Sequence, residues 1–501
     1  MTALPDALVA SVPLIMVLLS LLAAVVIFAL RDDQVRPRTA VNLVAAVAKI
    51  GLIVVLIPPV VEGGARPEFV MPFLPGIDFV LRVDPLALFF GGLSALLWLL
   101  TTIYAIGYLR GKPHLSRFFG FFSLCVMATV GISFSGNLLT FLVFYEVLTV
   151  VTYPLVAHWG DRPSLRAARV YLRYAITGGL AVLIGVVTLT IYAGPVDFAE
   201  GGAQGVADLA AESPAVAITI FALLVGGLGV KAALFPLHGW LPRAMVAPAP
   251  VSALLHAVAV VKAGVFGIVR VVDDVYGVNL AQSLGVLAPL VVVACFTILY
   301  GSYQALRSRD LKQRLAYSTV SQVSYVALGI ALATQLAVAG GVVHLVHQGI
   351  MKITLFFCAG LFAEQLKVYR IDQLDGLGYR MPLTSAAFTV GALGMIGLPP
   401  TAGFISKWEL GQGALVSDHP WVLWVLIASS LLNAAYFLPL VYRLWFRDPD
   451  ASPGLARVTE PAMMSVPAAM TAAFTLLVGL AASVPFSPLA IASYIAERVF
   501  G

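Results

Sequence analysis

The chain has 501 residues and a mass of 53.0 kDa, and 60% of its residues are hydrophobic whereas only 11% are charged. Soluble domains contain about 45–50% apolar and about 25% charged residues, and the mean hydropathy of +0.97 points away from them. These values exclude a water-soluble enzyme, a nucleic-acid-binding protein and a disordered chain. The net charge of +5 is typical of membrane proteins with basic cytoplasmic loops.

Fourteen segments approach or exceed the length of about 20 apolar residues that a membrane-spanning helix needs. The first has neither a basic leader nor a small-residue cleavage site, so we interpret it as a span rather than a signal peptide. The last is long enough to include an interfacial end. The predicted spans are 8–30, 39–61, 83–109, 118–135, 137–158, 170–193, 214–235, 250–270, 279–305, 315–337, 339–363, 382–410, 420–442 and 462–495. Residues 1–501 are therefore predicted to form one all-α integral membrane domain.

The basic residues of the predicted loops are divided unequally between two faces. One face, here the arginine-rich face, carries 20 Lys and Arg residues. The other, the arginine-poor face, carries only Arg66, Arg82, Arg270 and Arg498. Because Lys and Arg accumulate in cytoplasmic loops, the arginine-rich face is predicted to be cytoplasmic and both termini to lie outside.

Motifs for cofactors are missing from the sequence. Cys125, Cys295 and Cys358 stand alone in apolar runs, and no CxxC pair occurs, so we predict no cysteine-based iron–sulfur or zinc site. Neither a GxGxxG nor a P-loop motif for nucleotides occurs. The chain is predicted to hold no cofactor and no metal of its own.

Lysine and arginine are used differently within the apolar segments. Of the 22 arginines, 21 lie in loops or at helix ends, whereas five of the eight lysines lie within apolar runs. A charge at mid-bilayer costs about 2.5–3.5 kcal/mol, and a buried lysine, unlike an arginine, can lose its proton. The pattern predicts lysines that titrate, with snorkelling or static ion pairs as the alternative. The five are Lys49, Lys231, Lys262, Lys352 and Lys407, and for Lys49 the structural alternative is favoured.

Other polar residues accompany these lysines in the first half of the chain. Glu146 is the deepest carboxylate of the first eight spans. Lys231 precedes a Gly/Pro break at Pro236, and such irregular backbone at membrane depth is tolerated only within protein or beside water. His238, seven residues on, would share the face of Lys231 if the helix continued. Lys262 lies in the next span.

The second half of the chain repeats this theme. His344, Gln348 and Lys352 are spaced i, i+4 and i+8 and form one helical stripe, with His347 beside it. A second Gly/Pro break precedes Lys407. Two interrupted spans with deep lysines in corresponding halves indicate inverted repeats that meet at an ion site near the midplane.

Smaller polar groups lie between these charges and would complete a proton relay. The alternative is ordinary interhelical hydrogen bonding, which is favoured for any single one of them. His256 is open to either interpretation, as a packed core histidine or as a relay group. The candidates for links are Tyr145, Thr149, Thr152, Ser252, Ser318, Ser321, Gln322, Ser324 and Thr354.

The chain resembles a known family through five segments: FLVFYEVLTVVTYPLV, GVKAALFPLHGWLPRAMVAPAPVSALLHAVAVVKAGVFGIVR, RDLKQRLAYSTVSQVSYVALG, HLVHQGIMKITLFFCAG and GLPPTAGFISKW. It is similar to the antiporter-like proton-conducting subunits of respiratory complex I, membrane-bound hydrogenases and Mrp-type cation/proton antiporters. The resemblance covers about residues 80–445. It implies about fourteen helices with two inverted five-helix repeats, each containing a broken helix. The implied parts are N-terminal helices 1–117, a first repeat 118–270, a second repeat 279–442 and a C-terminal helix region 443–501.

The resemblance also implies roles for four charged residues. Glu146 takes the place of the family's fifth-helix glutamate, Lys231 that of the broken-helix lysine, and Lys262 that of the next-helix lysine. Lys407 takes the place of the terminal charge of the second broken helix, and lysine there is similar to the D-type antiporter subunit. The family stripe often has histidine where this chain has Gln348, and an amide does not carry a proton as imidazole does. Either His347 or a water molecule would then replace it.

Three functions are compatible with these residues. The first is the proton-translocating subunit of a multisubunit Mrp-type Na⁺/H⁺ antiporter in a bacterial-type inner membrane. The second is a proton-pumping subunit of complex I or a membrane-bound hydrogenase. The third is a proton channel that powers another partner, or a scaffold without transport. All three imply partner membrane subunits and a lipid bilayer, and none implies nucleic acid.

The mechanism that we infer from the sequence begins at an ion pair between Glu146 and Lys231. When Glu146 moves away, Lys231 releases its proton. The predicted route then passes through His238, Lys262, His344 and Lys352 and ends at Lys407.

Overall fold

The structure is a computed structural model that describes residues 6–447 and 456–500. Its described part is almost entirely helical, because a helix satisfies every backbone hydrogen bond within one segment. The helices are α1 Asp6–Ala29, α2 Val35–Ile57, α3 Pro85–Tyr108, α4 Leu115–Phe134, α5 Leu138–Val156, α6 Arg162–Ala193, α7 Gln204–Glu212, α8 Pro214–Lys231, α9 Ala249–Ala257, α10 Val260–Arg270, α11 Val278–Ser283, α12 Leu287–Arg307, α13 Leu311–Ala331, α14 Gln335–Leu366, α15 Leu377–Arg380, α16 Pro382–Ile396, α17 Ala402–Leu415, α18 Val422–Phe446, α19 Ala462–Leu480 and α20 Pro488–Phe500.

Twelve helical segments of the described chain are long and apolar enough to cross a membrane. Two of the fourteen predicted spans fall outside that count. The predicted span 315–337 overlaps α13, a 21-residue helix whose first turns carry Lys312 and Arg314. The predicted span 382–410 is divided between α16 and α17. The prediction of an all-α membrane protein is confirmed, and each predicted span coincides with a helix or a helix pair.

The order of helices repeats within the chain. The spans α4, α5, α6, α8 and α9–α10 are followed by α12, α13, α14, α16–α17 and α18. In both series the fourth span is interrupted, after Lys231 in α8 and between Ile396 and Ala402 in the second series. A series of five spans ends on the face opposite to its start, so the second series runs inverted relative to the first.

The centre of the molecule is formed by α10 and α14. Every residue of α10 is buried, and α14 is buried continuously from Ala337 to Ala363. Seven helices pack around α14, namely α3, α9, α13, α16, α17, α19 and α20. The polar residues of these two helices therefore lie inside protein rather than against lipid.

Three features depart from the sequence-based expectations. A β-hairpin, β1 Glu68–Leu74 and β2 Ile77–Arg82, occupies part of a predicted loop, and its turn uses Gly76 at φ +78°. The predicted loop 194–213 contains α7. The last predicted span, 462–495, is divided into α19 and α20, because the turn at 481–487 ends one helix before Pro488 starts the next.

The four arginines of the arginine-poor face lie together in the structure. Glu200 accepts from Arg66 at 3.0 Å and from Arg498 at 2.5 Å. Arg82 donates to the Phe198 carbonyl at 3.1 Å, and the Arg270 guanidinium lies 5.2 Å from the centre of the Phe198 ring. Residues from distant parts of the sequence thus meet at one end of the helix bundle.

Candidate functional site

Lys231 and Glu146 lie near each other but do not form a close ion pair. The Lys231 ammonium donates to the Tyr145 carbonyl and lies 3.2 Å from the centre of the Tyr145 ring. No nitrogen–oxygen distance of 4.0 Å or less joins it to a carboxylate of the described residues, although it interacts electrostatically with Glu146. The Glu146 Oε1 atom accepts no hydrogen bond within the described chain. Glu146 is only half-buried and lies beside Gly179 of α6.

Lys262 joins the two series of spans. It is fully buried in α10, and its ammonium donates to the Leu345 carbonyl of α14 at 2.7 Å. Leu345 directly follows His344, and His344 interacts electrostatically with Lys262 and with Lys407. Lys262 therefore connects the first series directly to the polar stripe of the second.

The α14 stripe is buried along its whole length, as its spacing predicts. The His344 Nδ1 atom lies 2.8 Å from the Ser406 hydroxyl, and Ser406 precedes Lys407 in α17. The His344 ring is also 5.2 Å from the Tyr325 ring. Both polar atoms of Gln348 lack a partner within the described residues. His344 thus connects α14 to the second broken helix.

Lys352 points away from that connection. Its ammonium donates to the Ser318 hydroxyl and, at 3.2 Å, to the Leu315 carbonyl. Both acceptors lie in the first two turns of α13, which begins at the arginine-rich loop 307–314. Lys352 therefore lies on a branch toward the arginine-rich face and not between His344 and Lys407.

Lys407 lies just after the break between α16 and α17. Its ammonium donates to the Met395 carbonyl at 3.0 Å, the Ile396 carbonyl at 2.8 Å and the Ser430 hydroxyl at 3.2 Å. Met395 and Ile396 end α16, and the end of a helix carries partial negative charge. The break thus creates an acceptor site for the lysine ammonium.

The five lysines of the apolar segments share one feature. Each donates to backbone carbonyls or hydroxyls, and none has a carboxylate oxygen within 4.0 Å among the described residues. A neutral amine can still donate to a carbonyl after losing a proton, and it leaves no carboxylate behind as a buried unpaired charge. This arrangement tolerates both protonation states of lysine.

His238 does not occupy the place that the sequence suggests. The α-helix ends at Lys231 and does not continue to His238, which lies in the 3₁₀ turn Leu237–Trp240. Its ring packs on Phe235 at 5.7 Å and Tyr300 at 4.9 Å. No contact among the described residues joins His238 to Lys231 or Lys262, so the idea of a shared helical face is wrong.

Three residues near the lysines were not placed in the predicted route. Tyr325 lies between His344 and Lys407, 5.6 Å from the Lys407 ammonium. Ser406 bonds to His344. His256 is fully buried, neither of its ring nitrogens has a described partner, and it interacts electrostatically with Lys352. Ser406 could have been predicted as a site residue because it directly precedes Lys407 in the sequence. No pattern in the sequence predicts that Tyr325 of α13 lies near α17.

Family models match most of this region. The model described as NADH:quinone oxidoreductase/Mrp antiporter, transmembrane, matches residues 135–433. A second, described as the N-terminus of chain 5 of NADH-ubiquinone oxidoreductase (complex I), matches residues 75–119.

Among the described residues, no cluster of three or more His, Cys, Asp or Glu could hold a metal ion.

Relatives come from two kinds of complex. NADH-quinone oxidoreductase subunit N of Desulforudis audaxviator is 36% identical over 457 residues, which cover 85% of this chain and 87% of that protein. A protein named as a component of a K(+)/H(+) antiporter in Rhizobium meliloti is 31% identical over 85% of this chain. An antiporter protein of Staphylococcus haemolyticus is also 31% identical over 85% of this chain. The chain spans about half of these two antiporter relatives, 42% and 56% of their lengths.

Two solved structures share the fold. A chain of the Mrp complex from Dietzia sp. DQ12-45-1b superimposes with a TM-score of 0.84 at 23% identity, and both chains are covered completely. A chain of the membrane-bound sulfane sulfur reductase, an archaeal respiratory membrane complex, gives 0.82 at 24% identity over 99% of this chain and 97% of that chain. The extent of the family match and of the sequence identity leads to one conclusion: this chain belongs to the family of antiporter-like membrane subunits of NADH:quinone oxidoreductases and Mrp antiporters.

Proposed function

We propose that this chain translocates protons through the buried lysines of the two repeats and His344, as one subunit of a multisubunit membrane complex. The observation that carries the proposal is the solvation of Lys231, Lys262, Lys352 and Lys407 by carbonyls and hydroxyls without a close carboxylate among the described residues. Static ion pairs would instead hold each lysine permanently charged. Groups that keep their hydrogen bonds in both protonation states are suited to passing protons on.

The geometry supports a modified route. Glu146 and Lys231 form the switch, Lys262 passes the proton to His344, and Lys407 is reached through Ser406. Lys352 belongs to a branch toward the arginine-rich face, and His238, which packs on Phe235 and Tyr300, is left out of the route. An ion pair at about 4 Å in an effective dielectric of about 20 is worth about 4 kcal/mol, which is enough to decide whether Lys231 keeps its proton.

A partner subunit would control the switch. Glu146 is half-buried on a helix whose neighbour α6 exposes apolar residues such as Leu180 and Ile184, 53% and 52% exposed. A membrane protein packed on this surface would shift the Glu146 carboxylate relative to Lys231. The coupling between subunits would therefore act at the first step of the route.

The first candidate for the complex is an Mrp-type Na⁺/H⁺ antiporter in a bacterial inner membrane. Lysine at position 407 supports it, as do the two antiporter relatives at 31% identity. In this proposal the arginine-rich face is cytoplasmic, both termini lie outside, and Na⁺ is the exchanged ion. The repeats would span 118–270 and 279–442.

The second candidate is a quinone oxidoreductase of the complex I type. The relative named as subunit N supports it, because that protein matches this chain over 87% of its own length whereas the antiporter relatives match over about half of theirs. Both candidates use the same buried residues. Purification of the native complex separates them, since antiporter subunits would accompany the chain in one case and quinone-reducing subunits in the other.

The experiment that tests transport compares two lysine variants of the native complex in sealed vesicles. Lys231→Ala removes the switch, whereas Lys367→Ala removes an exposed lysine on the loop after α14. We expect proton uptake to fall by at least about tenfold in Lys231→Ala, equivalent to about 1.4 kcal/mol in the barrier, and to be unchanged in Lys367→Ala. Normal uptake by an assembled Lys231→Ala complex would disprove the relay.

A further inference from the structure

A small cavity lies at the end of α10 on the arginine-poor face, away from the lysines of the proposed route. Its volume is about 30 Å³, room for one or two water molecules. We call it the Asp273 cavity. Its polar lining consists of four carboxylates and two guanidinium groups: Asp84, Glu200, Asp273, Asp274, Arg270 and Arg498.

Both guanidinium groups donate to carboxylates other than Asp273, although the Nε atoms of Arg270 and Arg498 have no partner among the described residues. Arg270, which is 1% exposed, donates to both oxygens of Asp84 at 2.7 and 3.0 Å and to Asp274 at 2.7 Å. Arg498 donates to Glu200 at 2.5 Å. One positive charge at Arg270 therefore serves two carboxylates, and neither arginine donates a hydrogen bond to Asp273.

Asp273 is the exception within this cluster. It is 1% exposed, and neither of its carboxylate oxygens accepts a hydrogen bond from any described residue. It interacts electrostatically with Asp274, which repels a second negative charge, and with Arg270, whose hydrogen bonds go to Asp84 and Asp274. A buried carboxylate without hydrogen bonds is strongly disfavoured, and a proton on the carboxyl removes that cost.

We propose that Asp273 is a proton-binding site that exchanges protons with water at the arginine-poor face through the Asp273 cavity. The charged groups that line the cavity with Asp273 are Arg270 and Asp274 from the same span, Asp84 from the start of α3, Glu200 from the loop before α7, and Arg498 from α20. None of these groups neutralises an Asp273 carboxylate by direct contact.

The site extends the proposed function to one end of the route. Asp273 lies eleven residues beyond Lys262, in the π-helical turn Val271–Tyr276 that follows α10, on the order of 16 Å along the axis at about 1.5 Å per residue. A role for Asp273 in transport depends on the proposed proton relay. The protonation of Asp273 does not depend on that relay. A protonated Asp273 in a complex whose Lys231→Ala variant transports normally would refute the relay alone.

Infrared spectroscopy of the purified native complex tests the protonation. A protonated carboxylic acid has a carbonyl stretch that a carboxylate lacks, and Asn matches Asp in shape. We expect Asp273→Asn to remove one such band, whereas Glu497→Gln, a change at an exposed residue of α20, leaves the spectrum unchanged. An identical acid band in wild type and Asp273→Asn overturns the proposal, because Asp273 is then a carboxylate, either free or paired with sodium.

A second measurement, made on the wild-type complex, tests the proposal even if the Asp273→Asn variant does not assemble. A hydrophobic carbodiimide reacts with protonated carboxyl groups in apolar surroundings, and mass spectrometry locates the adduct in the wild-type complex. We expect an adduct on Asp273 and none on Glu497. If Asp273→Asn fails to assemble, absence of the adduct from Asp273 overturns the proposal.

Discussion

At the scale of single residues, the fully buried Arg270 and the lysines of the apolar segments have different kinds of partner. Arg270 stays charged in a protein, and it is matched by carboxylates of Asp84 and Asp274. The buried lysines are matched by neutral acceptors, as Lys262 is by the Leu345 carbonyl. The sequence shows where lysine or arginine is used. It does not show their acceptors, because these include backbone atoms of distant helices.

Ser406 offers a test of the contact between α14 and α17. In Ser406→Ala, His344 loses the hydroxyl at 2.8 Å from its Nδ1 atom, and a lost hydrogen bond costs about 1 kcal/mol. We expect proton uptake in vesicles to fall about fivefold. Ser123→Ala removes another buried serine hydroxyl, which bonds Asn42 away from the route, and uptake should be normal. Equal uptake by the two variants would contradict a role for Ser406.

At the scale of helices, α6 fixes the place of the Glu146 carboxylate. A Cβ atom at Gly179 would collide with the carboxylate, whereas at Gly226 of α8 nothing lies within 4 Å of a Cβ. Because the end of a glutamate side chain can move, Gly179→Ala should displace Glu146 without unfolding the helix pair.

We therefore expect Gly179→Ala to change the rate of proton uptake severalfold at unchanged thermal stability, and Gly226→Ala to leave both unchanged. Uptake at the wild-type rate in Gly179→Ala would show that the position of the Glu146 carboxylate does not matter. A parallel loss of stability would place the effect in helix packing instead.

The turn between α1 and α2 is tied to the start of α4 by one carboxylate. Asp32 accepts from the Ser116 amide at 2.9 Å and from the His114 amide at 2.8 Å. The Ser116 hydrogen bond above all lowers the pKa of Asp32 below its usual value. A lowered pKa adds stability that is present above the unfolded-state pKa of about 4 and is lost as the pH falls through the folded-state pKa.

Asp32→Asn should therefore lower the free energy of unfolding by on the order of 0.5 kcal/mol near neutral pH, since solvent screens this exposed group. The difference from wild type should disappear at a pH below the Asp32 pKa. Thermal unfolding of the detergent-solubilised complex at two pH values measures it, with the exposed neighbour Asp33→Asn as control. A deficit that persists at low pH would refute the electrostatic explanation.

The two broken helices were predicted from Gly and Pro, but their lysines are not equivalent. Lys231 ends the helix before the first break, whereas Lys407 lies in the second turn after the other break. Gly and Pro locate an interruption because they weaken or remove helical hydrogen bonds. Which half-helix presents its lysine to the interior depends on packing, and the sequence alone does not reveal it.

At the scale of the whole molecule, Lys262 is a side chain of the first series of spans that donates directly to the backbone of α14. Lys262→Met keeps the aliphatic volume and removes the proton carrier, so we expect assembly to persist and proton uptake to fall by at least about tenfold. Lys49→Met is the matched control, since Lys49 is equally buried but donates to Ser20 at 2.5 Å and lies 4.8 Å from the centre of the Trp98 ring, outside the two repeats. Loss of proton uptake in both variants would contradict a specific role for Lys262 in the route.

The sequence by itself determined the membrane class, the fourteen segments, the two breaks and the buried charges, because hydropathy, Gly and Pro, and the cost of charge in lipid act locally along the chain. The repeat boundaries and the roles of the site residues stay predictions. Only the tertiary structure decided that Lys352 turns to α13, that His238 packs on Phe235 and Tyr300, and that Asp273 accepts no hydrogen bond from the described residues. Those outcomes depend on which distant backbone carbonyls and carboxylates reach a side chain, and periodicity carries no information about such contacts.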